Sequence, residues 1–464
     1  MPRTLDGLEA LPADFVWGVA TSAYQIEGGA TEDGRGPSIW DTFSHTPGKT
    51  RNGDTGDIAC AHRELWESDL DLIHDLGIPA YRLSLSWTRL QPTGEGELEP
   101  RGIAFYRALL ERMREGGITP YVTLYHWDLP QALEDRGGWT NRATAQLFAD
   151  YVDRVMVALG DLADDWITVN EPWCAAFLGY AYGAHAPGRT DPVAAVAAGH
   201  HLNLAHGLAT QRIRARRPEA RVAVTNIVAD LVPASDSAED LAAVERLDAV
   251  NHGFFLAPVF QGRYPDAAHA VLDRFGLAEL IQPGDLETIA QPLDRVGVNH
   301  YQRVIVSDGP GQGLADAREV PAGAARTSFD WSITPDALAA VVQHVAREYT
   351  DLPILITESG ASFHDYVDPE GRVNDHDRVA YLEGYLGALA GAVAGGVNVA
   401  GYFAWSLLDN FEWGEGYDKR FGLVYVDFGT QRRIPKLSAH WYSRLIADHA
   451  AVAREGALPT SLPA

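Results

Sequence analysis

Short runs rich in strand-forming residues alternate along the chain with longer segments of helical periodicity. Eight such runs are present, at residues 15–21, 81–87, 119–127, 165–172, 221–227, 295–301, 353–359 and 399–406. Strands that alternate with helices predict parallel strands joined by right-handed crossovers. Eight units favour the α/β class and a single (β/α)8 TIM barrel with long βα loops, with an open doubly wound sheet as the alternative.

Helix starts and loops are also marked in the sequence. Asp191 precedes Pro192 and Thr334 precedes Pro335, and a polar N-cap before a proline at the first helical position predicts a helix from each. The residues beyond a minimal barrel are expected in the βα loops, chiefly 26–56 and 302–333, which are rich in Gly, Pro, Asp and Thr. No Gly/Ser-rich or Pro-rich linker divides the sequence, so residues 1–464 are expected to form one domain.

Charge and composition narrow the function classes. Lys+Arg 37 against Asp+Glu 63 leaves a net charge of −26, which repels nucleic acid and anionic membrane surfaces. Residues 384–408 lack charge, but their glycines predict a buried helix and strand instead of a membrane span. The chain has two cysteines, no Asn-x-Ser/Thr acceptor and no signal-like amino terminus, so a cytoplasmic location is expected.

Polar, titratable and aromatic residues collect at or near the ends of the predicted strands. They are Gln25, Arg82, His126, Trp127, Asn170, Glu171, Tyr301, Glu358 and Trp405. Glu171 and Glu358 are single carboxylates at the ends of apolar runs, where either alone could merely terminate a strand or form an ion pair. Burial raises a carboxyl pKa, whereas a nearby arginine or tyrosine favours the charged form, so two such groups can be held in opposite protonation states. The pair therefore predicts one acid and one nucleophile.

Longer motifs resemble glycoside hydrolase family 1, the family of retaining β-glucosidases. The motifs are TVNEP (168–172), ITESG (356–360), GYFAWSLLDNFEWGEGYDKRFGLVYVD (401–427), FVWGVATSAYQIEGG (15–29), YRLSLSWTRLQP (81–92) and YHWDLPQAL (125–133). They extend over nearly the whole chain. The resemblance implies a retaining, exo-acting β-glycosidase that removes terminal non-reducing β-D-glucosyl residues and also accepts β-galactosides or β-fucosides.

The resemblance implies roles for the two carboxylates. Glu171 on strand 4 is the general acid/base, and Glu358 on strand 7 is the nucleophile. Carboxyl groups about 5–5.5 Å apart leave no room for an attacking water, so Glu358 attacks the anomeric carbon and configuration is retained. Arg82 and Tyr301 are implied to keep the nucleophile ionised and oriented, and Asn299 is a supporting residue.

The resemblance also implies the sugar-binding residues. They are Gln25, His126, Trp127, Asn170, Tyr301, Trp405, Glu412, Trp413 and Phe421, with Trp173, His185 and Trp331 on the aglycone side. Asn170 is expected to bind the 2-hydroxyl, and Trp405 to stack under the pyranose ring. Cys174 is expected to be an inert small hydrophobe. A non-proline cis bond is implied between Trp405 and Ser406.

Substrates and partners follow from the same resemblance. Small-molecule β-glycosides or short oligosaccharides are expected, with a place in cellulose and polysaccharide degradation, and a homo-oligomer is compatible with the sequence. No cofactor or metal is indicated, because GKT at 48–50 lacks the first glycine of a phosphate-binding loop and the histidines at 200, 201 and 206 lack an HExxH pattern. A 6-phospho-β-glycosidase is an alternative that Glu412 disfavours by repelling phosphate. A non-catalytic sugar-binding barrel is the other, and it would be expected to lack one or both of the two carboxylates.

Overall fold

Eight parallel strands close into a barrel in the computed structural model, which describes residues 5–456. The strands are β1 Val16–Ala20, β2 Ala80–Ser84, β3 Thr119–Thr123, β4 Asp165–Asn170, β5 Arg221–Ile227, β6 Val296–Asn299, β7 Ile354–Ser359 and β8 Val399–Trp405. β1 pairs with both β2 and β8, which closes the barrel. The eight predicted strands and the closed barrel are confirmed, and the open sheet is wrong.

One long helix follows each strand. These helices are α1 His62–Asp75, α2 Pro100–Glu115, α3 Ala143–Leu159, α4 Pro192–Arg216, α5 Ala238–Asp248, α6 Asp336–Glu348, α7 His376–Ala394 and α8 Leu437–Gly456. In α2 the buried residues Phe105, Leu109 and Met113 recur every fourth position, so one face packs inward. Among residues 5–456, none of the helices has both the length and the apolar character that crossing a bilayer requires. Residues 384–408 form the end of α7 and then β8, as expected.

The predicted helix starts have different outcomes. The Asp191 side chain accepts bonds from the backbone N–H groups of Val193 and Ala194, which confirms it as the N-cap of α4. The prediction that Thr334 caps a helix beginning at Pro335 is wrong, because Pro335 itself occupies the N-cap position of α6. Thr334 lies one residue further out, where its N–H donates to the Tyr385 hydroxyl at 3.0 Å.

The βα connections carry structure of their own. Segment 302–333, expected as a loop, contains strands Arg303–Asp308 and Ala317–Val320, which join Asp230–Pro233 in a three-stranded sheet. Val304 and Val306 alternate along it and pack with Ala243 of α5, which explains why the segment is ordered as a sheet. Val424–Asp427 and Arg432–Pro435 form a hairpin. The short α-helices are Ala23–Ile26, Ile39–Ser44, Trp87–Leu90, Gln131–Glu134, Phe254–Gln261, Asp266–Leu272, Leu277–Leu280 and Asp285–Ile289, and two π-helices span Cys174–Ala181 and Ala249–Gly253.

A separate apolar cluster supports the carboxyl ends of the strands. Its members come from several barrel strands and include Ala20, Ala80, Tyr121, Leu355, Phe403 and Trp405. The rings of Tyr121 and Phe403 lie 4.8 Å apart. A Cβ on Gly18 would lie 2.3 Å from Phe403, so only glycine leaves room for this ring. The cluster gives the polar residues above it a rigid base.

Candidate active site

Glu171 and Glu358 line one cavity of about 400 Å³. Glu358 belongs to β7, and Glu171 follows the last residue of β4. Each residue is only 3% exposed. Glu171 has a positive φ of 46°, an unfavourable conformation for a residue with a side chain, and its N–H is held by the Thr225 carbonyl at 2.9 Å. The barrel therefore brings together the two carboxyls that the sequence singled out.

Both oxygens of Glu358 accept strong hydrogen bonds. Arg82 donates to Oε1 at 2.5 Å, and the Tyr301 hydroxyl donates to Oε2 at 2.6 Å. Burial and the neighbouring carboxylates raise the pKa of Tyr301 well above its usual value, so the phenol keeps its proton. A buried guanidinium and a phenol thus pair with the Glu358 carboxylate and fix both of its oxygens. Such a charged, oriented oxygen is what a nucleophile requires.

Glu171 has a different environment. Asn299 donates to its Oε1 at 2.6 Å. Burial raises the pKa of Glu171 from its ordinary value of 4.5 to about 8, the charge of Glu358 adds to that increase, and Asn299 and Arg82 oppose it. Glu171 is therefore protonated at neutral pH, beside a charged carboxylate. This asymmetry separates an acid from a nucleophile.

Asn170 connects the surroundings of the two carboxyls. Its side-chain oxygen accepts from Arg82 at 2.6 Å and from Asn299 at 3.2 Å. Its amide nitrogen lies 3.2 Å from Nε2 of His126. Burial and the charge of Arg82 lower the pKa of His126 well below its usual value, so the imidazole is neutral. Asn170, Arg82 and Asn299 lie behind the lining of the cavity and are not part of its wall.

Glu412 and Gln25 form another polar group. Gln25 Nε2 donates to the Phe411 carbonyl at 3.0 Å, to Asn410 at 3.1 Å and to Glu412 at 3.4 Å. Burial, with the charges of Glu358 and Glu171, raises the pKa of Glu412 well above its usual value. Glu412 lines the cavity, whereas Gln25 lies behind it.

Aromatic rings complete the wall. The predicted residues that line the cavity are His126, Trp127, Trp173, His185, Tyr301, Trp331, Trp405, Glu412, Trp413 and Phe421. The Trp127 and Trp413 rings lie 4.7 Å apart, and both residues have positive φ. His126 stacks on Trp405 at 6.0 Å. The peptide bond between Trp405 and Ser406 is cis, as expected.

The residues expected on the aglycone side, Trp173, His185 and Trp331, line the same cavity. Trp173 donates from its indole N–H to the Asn251 side chain at 2.9 Å. Burial lowers the pKa of His185 to about 4, so this ring is neutral. Burial raises the pKa of the Cys174 thiol well above its usual value, which fits the expectation that it is inert.

Several lining residues were not predicted from the sequence. They are Leu178, Ala184, Ile227, Gln302, Phe329, Gly414 and Glu415. Phe329 stacks on Trp331 at 4.2 Å. Its position two residues before Trp331 was the one available signal, because residues at that spacing share a face in extended chain. Gln302 and Glu415 are polar and lie near predicted residues in the sequence, whereas the remaining four carry no chemical signature and are brought to the cavity only by the tertiary structure.

Among residues 5–456, one cluster of side chains has donor atoms close enough together to hold a metal ion. Asp248, His252 and His344 lie together on the helix layer, outside the cavity lining. His252 Nδ1 bonds Asp248 at 2.8 Å, and its Nε2 accepts the Ala229 N–H at 3.1 Å. Both ring nitrogens of this histidine are thus engaged in hydrogen bonds, which is typical of a structural cluster.

Two buried carboxyls at the ends of β4 and β7, in an aromatic-walled cavity of a (β/α)8 barrel, are the groups that an O-glycoside hydrolase requires. The sequence profile described as glycosyl hydrolase family 1 matches residues 8–451, and the chain belongs to this family. The resemblance inferred from the motifs is confirmed.

Named relatives cover almost the whole chain. Beta-glucosidase A of Thermotoga maritima is 42% identical over 95% of this chain and 99% of its own length. The bifunctional beta-D-glucosidase/beta-D-fucosidase of Bifidobacterium breve is 43% identical over 95% of this chain and 99% of its own. The solved structure of the family 1 b-glucosidase from Thermotoga maritima matches with a TM-score of 0.92, at 42% identity, over 95% of this chain and 98% of that one.

Proposed function

We propose that the protein is an exo-acting β-glucosidase that releases terminal non-reducing β-D-glucosyl residues. The observation that carries this proposal is the unequal environment of Glu171 and Glu358 at one cavity. A volume of about 400 Å³ lies near the lower end of the range for small-molecule pockets, about 300–1,000 Å³. It suits one sugar ring and part of its aglycone.

The first step forms a glycosyl-enzyme. Glu171 donates its proton to the departing glycosidic oxygen while Glu358 attacks the anomeric carbon, and the product is a glycosyl ester on Glu358. Arg82 and Tyr301 orient the attacking carboxylate through their bonds to its two oxygens. Because attack comes from the face opposite the aglycone, the ester has the α configuration.

The second step hydrolyses that ester. Esterification removes the charge of Glu358, which is one cause of the raised pKa of Glu171, so the pKa of Glu171 falls. Glu171 then acts as a carboxylate that takes a proton from the attacking water. The second inversion restores the β configuration.

Sugar recognition is assigned to the residues named from the sequence. Gln25, His126, Asn170, Glu412 and Trp413 bind hydroxyl groups, with Asn170 at the 2-hydroxyl. Trp405 stacks under the ring, supported by Trp127 and Phe421. Trp173, His185 and Trp331 contact the aglycone. Gln25 and Asn170 lie behind the cavity wall, so they bind hydroxyl groups when the sugar reaches that polar layer. Their neutral amide groups are directional donors.

An unphosphorylated glucoside is favoured over a 6-phosphoglucoside. Glu412 and Glu415 line the cavity, and among the described residues no lysine or arginine does. A phosphate would meet these carboxyl groups without a cation to balance it. The names of the relatives, beta-glucosidase A and a bifunctional beta-D-glucosidase/beta-D-fucosidase, support β-glucosides and β-fucosides as substrates. β-Galactosides are proposed as further substrates from the sequence resemblance alone.

Wider roles belong to the same proposal. We place the enzyme in the cytoplasm, in the breakdown of cellulose-derived and other short β-glycosides, and treat the chain as one catalytic domain. Its expected partners are small-molecule β-glycosides or short oligosaccharides. A homo-oligomer is compatible with these roles.

Hydrolysis of a panel of aryl β-glycosides tests the proposal. The panel contains the glucoside, galactoside, fucoside and 6-phosphoglucoside, and proton NMR follows the first-formed sugar anomer. We expect the glucoside or fucoside to have the highest kcat/KM and the β anomer to form first. An initial α anomer would refute retention. Cleavage of the phosphoglucoside alone would favour the alternative, and no turnover of any substrate would favour a binding barrel.

A further inference from the structure

A network of buried charges lies behind the chain segment that carries Glu412 and Phe421. It contains three carboxylates and three cations: Asp365, Asp375 and Asp409 with Arg378, Arg420 and Lys436. We refer to these six residues as the ionic network. None of them lines the cavity, so neither the chemistry nor direct sugar binding explains them. The side chains of Asp409 and Lys436 are 0% exposed.

Asp409 ties together the two ends of segment 409–422. Its Oδ1 accepts the Gly422 N–H at 2.9 Å and Lys436 Nζ at 2.7 Å. Its Oδ2 accepts from Arg420 at 2.6 Å. A Cβ on Gly422 would lie 2.1 Å from the backbone nitrogen of Asp409, so the two ends touch at backbone level. The carboxylate thus closes the base of the segment together with the backbone bond from the Asp409 N–H to the Val424 carbonyl, at 2.9 Å.

The closed segment presents sugar-facing side chains. Glu412, Trp413 and Phe421 lie between its two ends, and all three line the cavity. Gln25 holds the segment near its start, through the Phe411 carbonyl and Glu412, and further along the Tyr417 N–H donates to Asp54 at 3.1 Å. Glu412 and Phe421 lie close to the two ends that Asp409 joins, so the closure at Asp409 contributes to the spacing between them.

The outer helices anchor the network to the barrel. Arg378 of α7 donates to Asp365 at 2.8 Å and also pairs with Asp375. Lys436, just before α8, bridges Asp365 and Asp409. Because these charges are buried, removing one partner leaves another without compensation, and the structure must relax around it.

We propose that Asp409 is a positioning residue that sets the sugar-binding geometry of Glu412 and Phe421 through the closure of segment 409–422. The carboxylate does not touch substrate, and Lys436 is its buried counter-ion. This inference rests on the proposed β-glucosidase function, because the property it controls is the binding of a glucoside. A shift of about 1 Å in a positioned group can reduce a rate by about 100-fold, so the effect is measurable.

A double-mutant cycle tests the proposal. Asp409→Asn keeps the shape of the side chain and removes its charge. We expect kcat/KM for an aryl β-glucoside to fall by about 10- to 100-fold, mainly through KM. In the Glu412→Gln background the same substitution is expected to have a several-fold smaller effect, because groups that act through one another are not additive. Equal effects in the two backgrounds, or a wild-type KM in the single variant, would overturn the proposal.

Asp285→Asn is the matched control. Asp285 is also a buried, ion-paired carboxylate, with Arg142 and His200 as partners, but it lies in the outer helix layer and outside the cavity lining. Its replacement is expected to lower the melting temperature without raising KM, and to be additive with Glu412→Gln. Coupling to Glu412 as strong as that of Asp409 would mean that general loosening explains the result, and would overturn the specific role.

If Asp409→Asn does not fold, Lys436→Gln is tested in its place. It removes the counter-ion and leaves Gly422 and Arg420 bound to Asp409, so a smaller rise in KM is expected, again coupled to Glu412. An unchanged KM in this folded variant would overturn the proposal.

The activity of the wild-type enzyme distinguishes failure of the proposed function from failure of the positioning role. Failure of the wild type to cleave any aryl β-glucoside refutes the proposed function, whereas an active wild type with additive effects refutes only the positioning role.

Discussion

Tyr301 donates its hydroxyl hydrogen to Oε2 of Glu358 at 2.6 Å. The bond lies inside the barrel and orients the nucleophile together with Arg82, which binds the other oxygen. The phenol keeps its proton because burial and nearby carboxylates raise its pKa well above the usual value. A single hydroxyl therefore controls one of the two nucleophilic oxygens.

Tyr301→Phe removes this hydroxyl and leaves the ring. We expect kcat to fall by about 10- to 100-fold, because a hydrogen bond to a charged group contributes about 1.5–3 kcal/mol. Steady-state kinetics with an activated aryl β-glucoside measure the change. Tyr385→Phe is the control, since that hydroxyl accepts a backbone N–H outside the cavity. A loss equal in the two variants would contradict the special role of Tyr301.

Glu358→Ala removes the nucleophile and opens space beside the anomeric carbon. Turnover is expected to fall by about 10⁴-fold or more, because a covalent route is lost. Added azide is expected to restore activity and to give the α-glycosyl azide, since the small anion attacks from the vacated side. NMR of the product identifies the anomer. A β-glycosyl azide, or no rescue in a folded variant, would contradict the assignment of Glu358.

Asn299→Ala tests how Glu171 is tuned. The protonated form of Glu171 is needed in the first step, so kcat/KM is expected to decline as pH rises through about 8. Asn299 lowers the pKa of Glu171, so its loss is expected to raise that pKa and move the decline to higher pH. The pH profile of kcat/KM measures the shift. Asn203→Ala is the control, because Asn203 donates to the Phe254 carbonyl instead, and a shift to lower pH in Asn299→Ala would contradict the argument.

Glu171→Gln is expected to stabilise the fold while it removes activity toward substrates that need an acid. The folded-state pKa of about 8 lies above the ordinary value of 4.5, so the folded protein binds more protons between these limits. The free energy of unfolding of the wild type therefore decreases as pH rises from about 4.5 to 8, because the folded state loses its advantage in proton binding over that range. In thermal melts across that range, the melting temperature of Glu171→Gln is expected to exceed that of the wild type by an amount that increases with pH and then levels off.

An exposed carboxyl provides the comparison for these melts. The side chain of Glu370 is 63% exposed, and Glu370→Gln is expected to leave the pH dependence of the wild type unchanged. If Glu171→Gln followed the wild type at every pH, the buried carboxyl would not be the source of the destabilisation. The expected trade between stability and activity is common at sites that hold an unfavourable charge.

The sequence alone indicated the barrel and its reactive pair. The alternation of strand-forming runs with helical segments predicted all eight barrel strands, because the periodicity of side chains is a local property of the chain. Glu171 and Glu358 stood out for a similar reason, since a carboxyl at the end of an apolar strand is an unusual local pattern. The local pattern at Thr334 predicted an N-cap that the structure does not have. Thr334 lies one residue outside the cap, in contact with Tyr385.

Only the tertiary structure decided how the site is assembled. Asn299 binds Glu171 across 128 positions of sequence, and that contact depends on the register and closure of the barrel. The ordered sheet within 302–333 and the contact of Phe329 with the cavity likewise depend on packing partners distant in sequence. The closure of segment 409–422 by Asp409 and Lys436 is of the same kind. A sequence pattern specifies which face a residue occupies, whereas packing among distant segments decides which residues meet there.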